Sequence, residues 1–171
     1  MASNGRNWFR SACLGPISTL LRRLTLIAGL AVTFHAPVAN AAPAQLDLAD
    51  YRGKVVVVDF WASWCKPCRQ SIPWLNEMHS RYAADGLVIL GVNVDAERAD
   101  AEKFLRQTPI EFSVVFDSNG DLARRFSLKG MPSTLVFDRS GSLVMTHLGF
   151  QQSRKDARET DLRNLLNKDA R

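Results

Sequence analysis

Acidic side chains are missing from the first 41 residues of this chain, which carry Arg6, Arg10, Arg22 and Arg23 with nothing to balance them. The formal charge of +5 therefore arises mostly there; beyond it 18 basic residues face 17 acidic ones, and a nucleic-acid partner loses its electrostatic support. Long apolar runs are missing as well. Leu24 to Phe34 is uncharged over 11 residues, short of the roughly 20 that a membrane-spanning helix needs. Histidine is scarce, and only His79 and His147 lie beyond the first 41 positions. Nothing pairs them at ligand spacing, so neither a structural zinc site nor another bound metal is expected. Repeats and low-complexity tracts are absent, which removes solenoid and fibrous architectures.

What the N-terminal segment does contain is an arginine-bearing lead, the apolar run, and Ala39-Asn40-Ala41. Those are the three parts of a secretory signal peptide, so residues 1–41 are expected to direct export to the periplasm, with cleavage after Ala41. A membrane-anchored, uncleaved form is the alternative. Arg22-Arg23 gives a poor version of a twin-arginine signal, and the ordinary secretory route is expected. Cys13 leaves with the leader. The mature chain, residues 42–171, is long enough for one ordinary domain and holds two cysteines, Cys65 and Cys68, with no odd thiol.

Along that domain, Lys54 to Phe60 (KVVVVDF) is too continuously apolar for a half-exposed strand and reads as buried on both faces. A helix period follows from Lys66 to about Ala84 through Ile72, Leu75, Met78 and Tyr82, with a kink expected at Pro73. Leu87 to Val94 is a second buried strand, Glu97 to Gln107 a helix, and Phe112 to Phe116 a third strand. A turn at Asp117 to Asp121 leads to a short helix with Leu122, Ala123 and Phe126. Two strands then flank Asp138 to Gly141 as an antiparallel hairpin, and a closing helix is expected from Ser153, capped by its hydroxyl, burying Leu162, Leu165 and Leu166. This alternation implies an α/β fold: a mixed central sheet with helices on both faces.

Cys65 and Cys68 stand where a buried strand ends and a helix begins, a favoured site location on such sheets. A disulfide between them closes so short a loop that chain entropy gives only about 2 kcal/mol, so a purely structural cross-link is a poor explanation. A redox couple has a positive case. A thiolate at a helix N-terminus is stabilised by free N–H groups and the positive end of the dipole, which favours Cys65 as the attacking sulfur. Cys68, one turn along, suits the resolving role. Lys66 adds positive charge and Pro67 stiffens the turn. Asp59, on the buried strand, should be hard to ionise and is a candidate acceptor for the Cys68 proton. Trp64, next to Cys65, is a candidate apolar surface for extended or unfolded substrates, while Trp61 reads as packing.

These residues resemble the thioredoxin family. VDFWASWCKPC (Val58 to Cys68) looks like its active-site segment, and Pro73 and the later GMPST (Gly130 to Thr134) follow in the family's order. The resemblance covers about Leu46 to Leu166 and implies a thioredoxin fold in which Met131-Pro132 is cis and holds an extended substrate segment beside Cys65. The extra helix and strand between Glu97 and Phe116, the YRGK lead-in at Tyr51 to Lys54 and the export signal resemble the TlpA/ResA-like thiol:disulfide oxidoreductases. Two departures stand out. Ser71 occupies a position where many members carry glutamate, and Asp59 stands where they commonly carry asparagine.

The resemblance implies an exported protein disulfide reductase acting on oxidised periplasmic proteins. Cytochrome c maturation and the reduction of copper-site cysteines are typical family tasks. A membrane thiol carrier would supply electrons; no metal or organic cofactor, no nucleic acid and no oligomer are expected. A disulfide oxidant or isomerase shares this chemistry, and Lys66-Pro67 does not decide between them. From another class, the reduced pair could carry copper as a metallochaperone, although copper-delivery relatives of the fold use a longer cysteine spacing and a distant histidine. A peroxidase reading lacks the local cysteine sequence and the arginine constellation it requires.

Overall fold

The computed structural model describes residues 46–168, which fall within one compact unit. The proposed leader, its cleavage point and Cys13 lie outside the described residues. Strand β1 (Val55–Trp61) is buried at every position, as its uninterrupted apolar run requires. It pairs in parallel with β2 (Leu87–Asn93), which pairs in parallel with β3 (Ser113–Phe116). On its other side it meets β4 (Ser133–Phe137) antiparallel, and β4 continues through the hairpin to β5 (Leu143–Leu148). The order is β3-β2-β1-β4-β5, with helices α1 (Cys68–Tyr82), α2 (Arg98–Gln107), α3 (Asp121–Arg125) and α4 (Lys155–Lys168) around it.

Alternation along β1 divides the core. Val55 and Val57 pack with Trp74, Leu75 and Met78 of α1 and Leu162 and Leu166 of α4. Val56, Val58 and Phe60 point to the opposite layer, with Leu46, Leu122 of α3, Leu135 and Phe137. A third cluster at the C-terminal end of β1 joins Trp61, Ala62, Cys65, Cys68 and Ile72 to Ala101 and Phe104 of α2. Gly91, opposite Asp59 on β2, leaves room for this arrangement: a Cβ there would lie 3.1 Å from Trp61 Nε1 and 3.0 Å from the Phe112 ring.

The mixed sheet with helices on both faces matches the sequence reading, and the five strands and the helices α1 and α2 fall within a residue or two of it. The start of the last helix differs. Ser153 sits inside a 3-10 turn, Gln152–Arg154, and α4 begins at Lys155. The Arg154 N–H is taken by the Gln151 carbonyl at 3.0 Å, so the opening donors are served by a tightened backbone turn rather than by a serine cap. Pro73 lies inside α1, which runs from Cys68 to Tyr82.

Candidate redox site

The site grows from the end of β1. The Cys65 N–H bonds the Ala62 carbonyl and the Cys68 N–H bonds the Cys65 carbonyl, each at 3.1 Å, so the chain turns tightly and delivers both sulfurs to the start of α1. They are joined as a disulfide with Cα atoms 5.3 Å apart. Their surroundings differ: Cys65 keeps 4% of its surface exposed and Cys68 none. The Cys68 N–H also points at Cys65 Sγ, 3.3 Å away, a donor from the first turn of the helix aimed at the outer sulfur. Pro67 occupies the N-cap position in helical conformation, where a missing N–H costs nothing. Lys66 and Pro67 are exposed, and Trp64 projects with 67% of its surface open. Trp61 is fully buried against Phe104, centroids 5.3 Å apart, in accord with a packing role.

Met131-Pro132 is a cis peptide. Half-buried Met131 packs on the cluster containing Cys65 and Cys68, so the loop before β4 and the cysteine turn, distant in sequence, form one surface. The loop is tied down by Ser133 Oγ donating to the Gly130 carbonyl at 2.6 Å and by the Gly149 N–H donating to the Pro132 carbonyl at 2.8 Å.

Asp59 is 1% exposed, on the same face of β1 as Trp61. Burial pushes its carboxyl up to about 7, against the opposing pull of the Thr134 hydroxyl, which donates to Oδ1 at 2.7 Å, and of the Arg158 charge. Oδ2 has no hydrogen-bond partner among the described residues. Ser71 is buried, its hydroxyl donating to the Cys68 carbonyl at 3.1 Å, so this position carries no ionisable group.

Sequence reasoning missed a polar clamp behind the cysteine turn. Buried Asp95 accepts the Ser63 N–H at 2.9 Å, the Ser63 hydroxyl at 2.9 Å and the Asn93 amide at 2.7 Å. This pins the chain two residues before Cys65 to the end of β2. The one available sign was two polar residues, Asn93 and Asp95, closing an otherwise apolar strand. Arg158 was missed entirely: it is buried on a helix whose other charged residues reach solvent.

Among the described residues no three His, Cys, Asp or Glu side chains gather as a metal-binding group. His147 lies on β5 in a cavity with Trp74 and Arg158, outside the cysteine cluster. No helix of the described residues is long and apolar enough to cross a membrane.

Comparison with known proteins agrees with this geometry. The profile of the AhpC/TSA family matches residues 27–146. The thiol-disulfide oxidoreductase ResA of Geobacillus kaustophilus is 35% identical over 96 residues, covering 56% of this chain and 55% of the relative. ResA of Bacillus thuringiensis subsp. konkukian is 28% identical over 107 residues, covering 63% and 62%. The chain thus spans less than two thirds of the length of these curated relatives. A Chlorobium tepidum crystal structure described as a thiol:disulfide interchange protein DsbE is 45% identical, with a TM-score of 0.69 over 72% of this chain and 90% of that one. The chain belongs to the AhpC/TSA family and has the thioredoxin-like fold, and it is similar to TlpA/ResA-like thiol-disulfide oxidoreductases.

Proposed function

We propose that this chain is a periplasmic thiol:disulfide oxidoreductase that reduces disulfides in exported proteins, including those awaiting haem or copper. The observation that carries the reading is the Cys65–Cys68 pair at the N-terminus of α1, with a backbone N–H on Cys65 Sγ and the Met131-Pro132 loop packed beside it. In the reduced protein the Cys65 thiolate attacks one sulfur of a substrate disulfide. A mixed disulfide forms and the other substrate sulfur leaves as a thiolate, which takes up a proton. Cys68 then loses its proton to Asp59 and attacks Cys65 Sγ, releasing the second substrate thiolate and closing the pair. Two electrons pass from the pair to the substrate. Lys66 and the helix N-terminus favour the Cys65 thiolate, Pro67 holds the turn, and Trp64, Met131 and Pro132 receive the extended substrate segment.

A membrane thiol carrier returns the electrons on this reading. Residues 1–41 act as the export signal, the working form is a monomer, and neither a metal nor an organic cofactor takes part. The test is a pair of variants assayed on a protein disulfide. Cys65→Ser abolishes reduction, whereas Cys68→Ser accumulates a substrate-linked mixed disulfide visible on a non-reducing gel. Full activity in Cys65→Ser would refute the assigned roles.

A further inference from the structure

Arg158 sits at the centre of two connections to the redox site. It is 7% exposed, its Cζ lies 5.6 Å from the Phe150 ring centre, and its Nη2 donates to the Gly149 carbonyl at 3.0 Å. The N–H of the same Gly149 donates to the Pro132 carbonyl at 2.8 Å. One glycine therefore links α4 to the loop that borders the cysteines. Arg158 also faces a cavity of about 10 Å³ that it shares with Trp74, Thr134 and His147. Across that cavity, strand register sets Asp59, Thr134 and His147 side by side on β1, β4 and β5, and the Thr134 hydroxyl bonds the Asp59 carboxyl.

We propose that Arg158 is a positioning residue for the redox site: it holds the Gly149–Pro132 segment in place and supplies the fixed positive charge opposite the buried carboxyl of Asp59. The proposal rests on the oxidoreductase reading above. The groups packed around Asp59 leave few other sources of charge. Its neighbour on β2 is Gly91 and its neighbour on β4 is the neutral Thr134. On β5 the titratable group is His147, whose pKa is held below the ordinary value by burial first and then by Arg158, with Asp161 pulling it up and Arg154 down. Among the described residues, Arg158 is the cation whose charge opposes the effect of burial on Asp59. An arginine suits both tasks, since its charge is permanent and its planar fork holds a carbonyl in a fixed direction.

The experiment uses the full chain with Arg158→Met and Arg158→Lys, each checked for folding by circular dichroism. Two quantities are read: the titration midpoint of the Asp59 carboxyl by carbon NMR in the reduced protein, and KM and kcat for a protein disulfide. Arg158→Met is expected to raise the Asp59 midpoint by about half a unit or more and to raise KM severalfold. Arg158→Lys, with the charge kept and the fork lost, is expected to retain the midpoint and show the KM rise alone. A folded Met variant with midpoint and KM both unchanged overturns the proposal. If Met does not fold, a Lys variant with a displaced midpoint and an unchanged KM overturns it equally. The NMR titration needs no turnover, so an unmodified protein that reduces no disulfide would sink the oxidoreductase reading while leaving the Arg158–Asp59 coupling measurable.

Discussion

Cys65 and Cys68 sit three residues apart, yet one keeps a sliver of surface and an N–H donor on its sulfur while the other is sealed. In the proposed mechanism, that asymmetry divides attack from resolution between them. Asp59 lies deeper, and its carboxyl is held protonated up to about 7 by burial. The sign of its effect on stability follows. Between the unfolded carboxylate value, about 3.9, and the folded one, the native state binds the extra proton, so stability falls as pH rises through that window and the full cost is present above it. Asp59→Asn is therefore expected to stabilise the protein by about 2–4 kcal/mol at pH 8, with the gain vanishing below about pH 4, as denaturant titrations at the two pH values would show. The same variant should slow resolution of the mixed disulfide, seen as its longer lifetime in single-turnover reduction. Asp95 works differently, because its oxygens are met by Ser63 and Asn93. Asp95→Ala strands the buried Asn93 amide and the half-buried Ser63 donors and is expected to cost about 2 kcal/mol and to loosen the cysteine turn, measurable as faster alkylation of reduced Cys65. Trp64→Ala, at an exposed site, should leave stability almost unchanged and raise KM for protein disulfides while sparing small ones.

At the scale of elements, α2 closes the cysteine cluster by placing Ala101 and Phe104 on Trp61. Phe104→Ala removes that lid and is expected to destabilise the fold by about 3 kcal/mol in chemical unfolding. Most elements were readable because each left a period in the sequence. The valines of β1, the three-and-four spacing from Ile72 to Tyr82 and the alternation around Asp138 to Gly141 mark burial that strands and helices impose locally. The start of α4 was not readable, since a 3-10 turn satisfies the same donors as a serine cap and leaves no distinct pattern. Arg158 escaped for a related reason. A buried arginine and a solvated one are the same letter, and only the folded position of Gly149 gives it a partner. The CxxC pair was legible because its chemistry is local; the Asn93–Asp95–Ser63 clamp and the Asp59–Thr134 bond join distant segments and emerge only with the sheet.

For the whole molecule, the sheet brings three remote stretches to one edge: the end of β1 with the cysteines, the loop before β4 with Met131 and Pro132, and the turn after β5 with Gly149. On the proposed function, this convergence lets one surface hold a substrate strand against Cys65, with Cys68 and Asp59 buried beneath it. What such a site does depends on the relative stability of its dithiol and disulfide forms. The most direct test of the proposed reductase is the reduction potential of the Cys65–Cys68 couple, measured by equilibrating residues 42–171 in thiol redox buffers and alkylating the free thiols. The account predicts a value near that of thioredoxin, about −270 mV; a value near about −120 mV would make the protein a disulfide donor and contradict it.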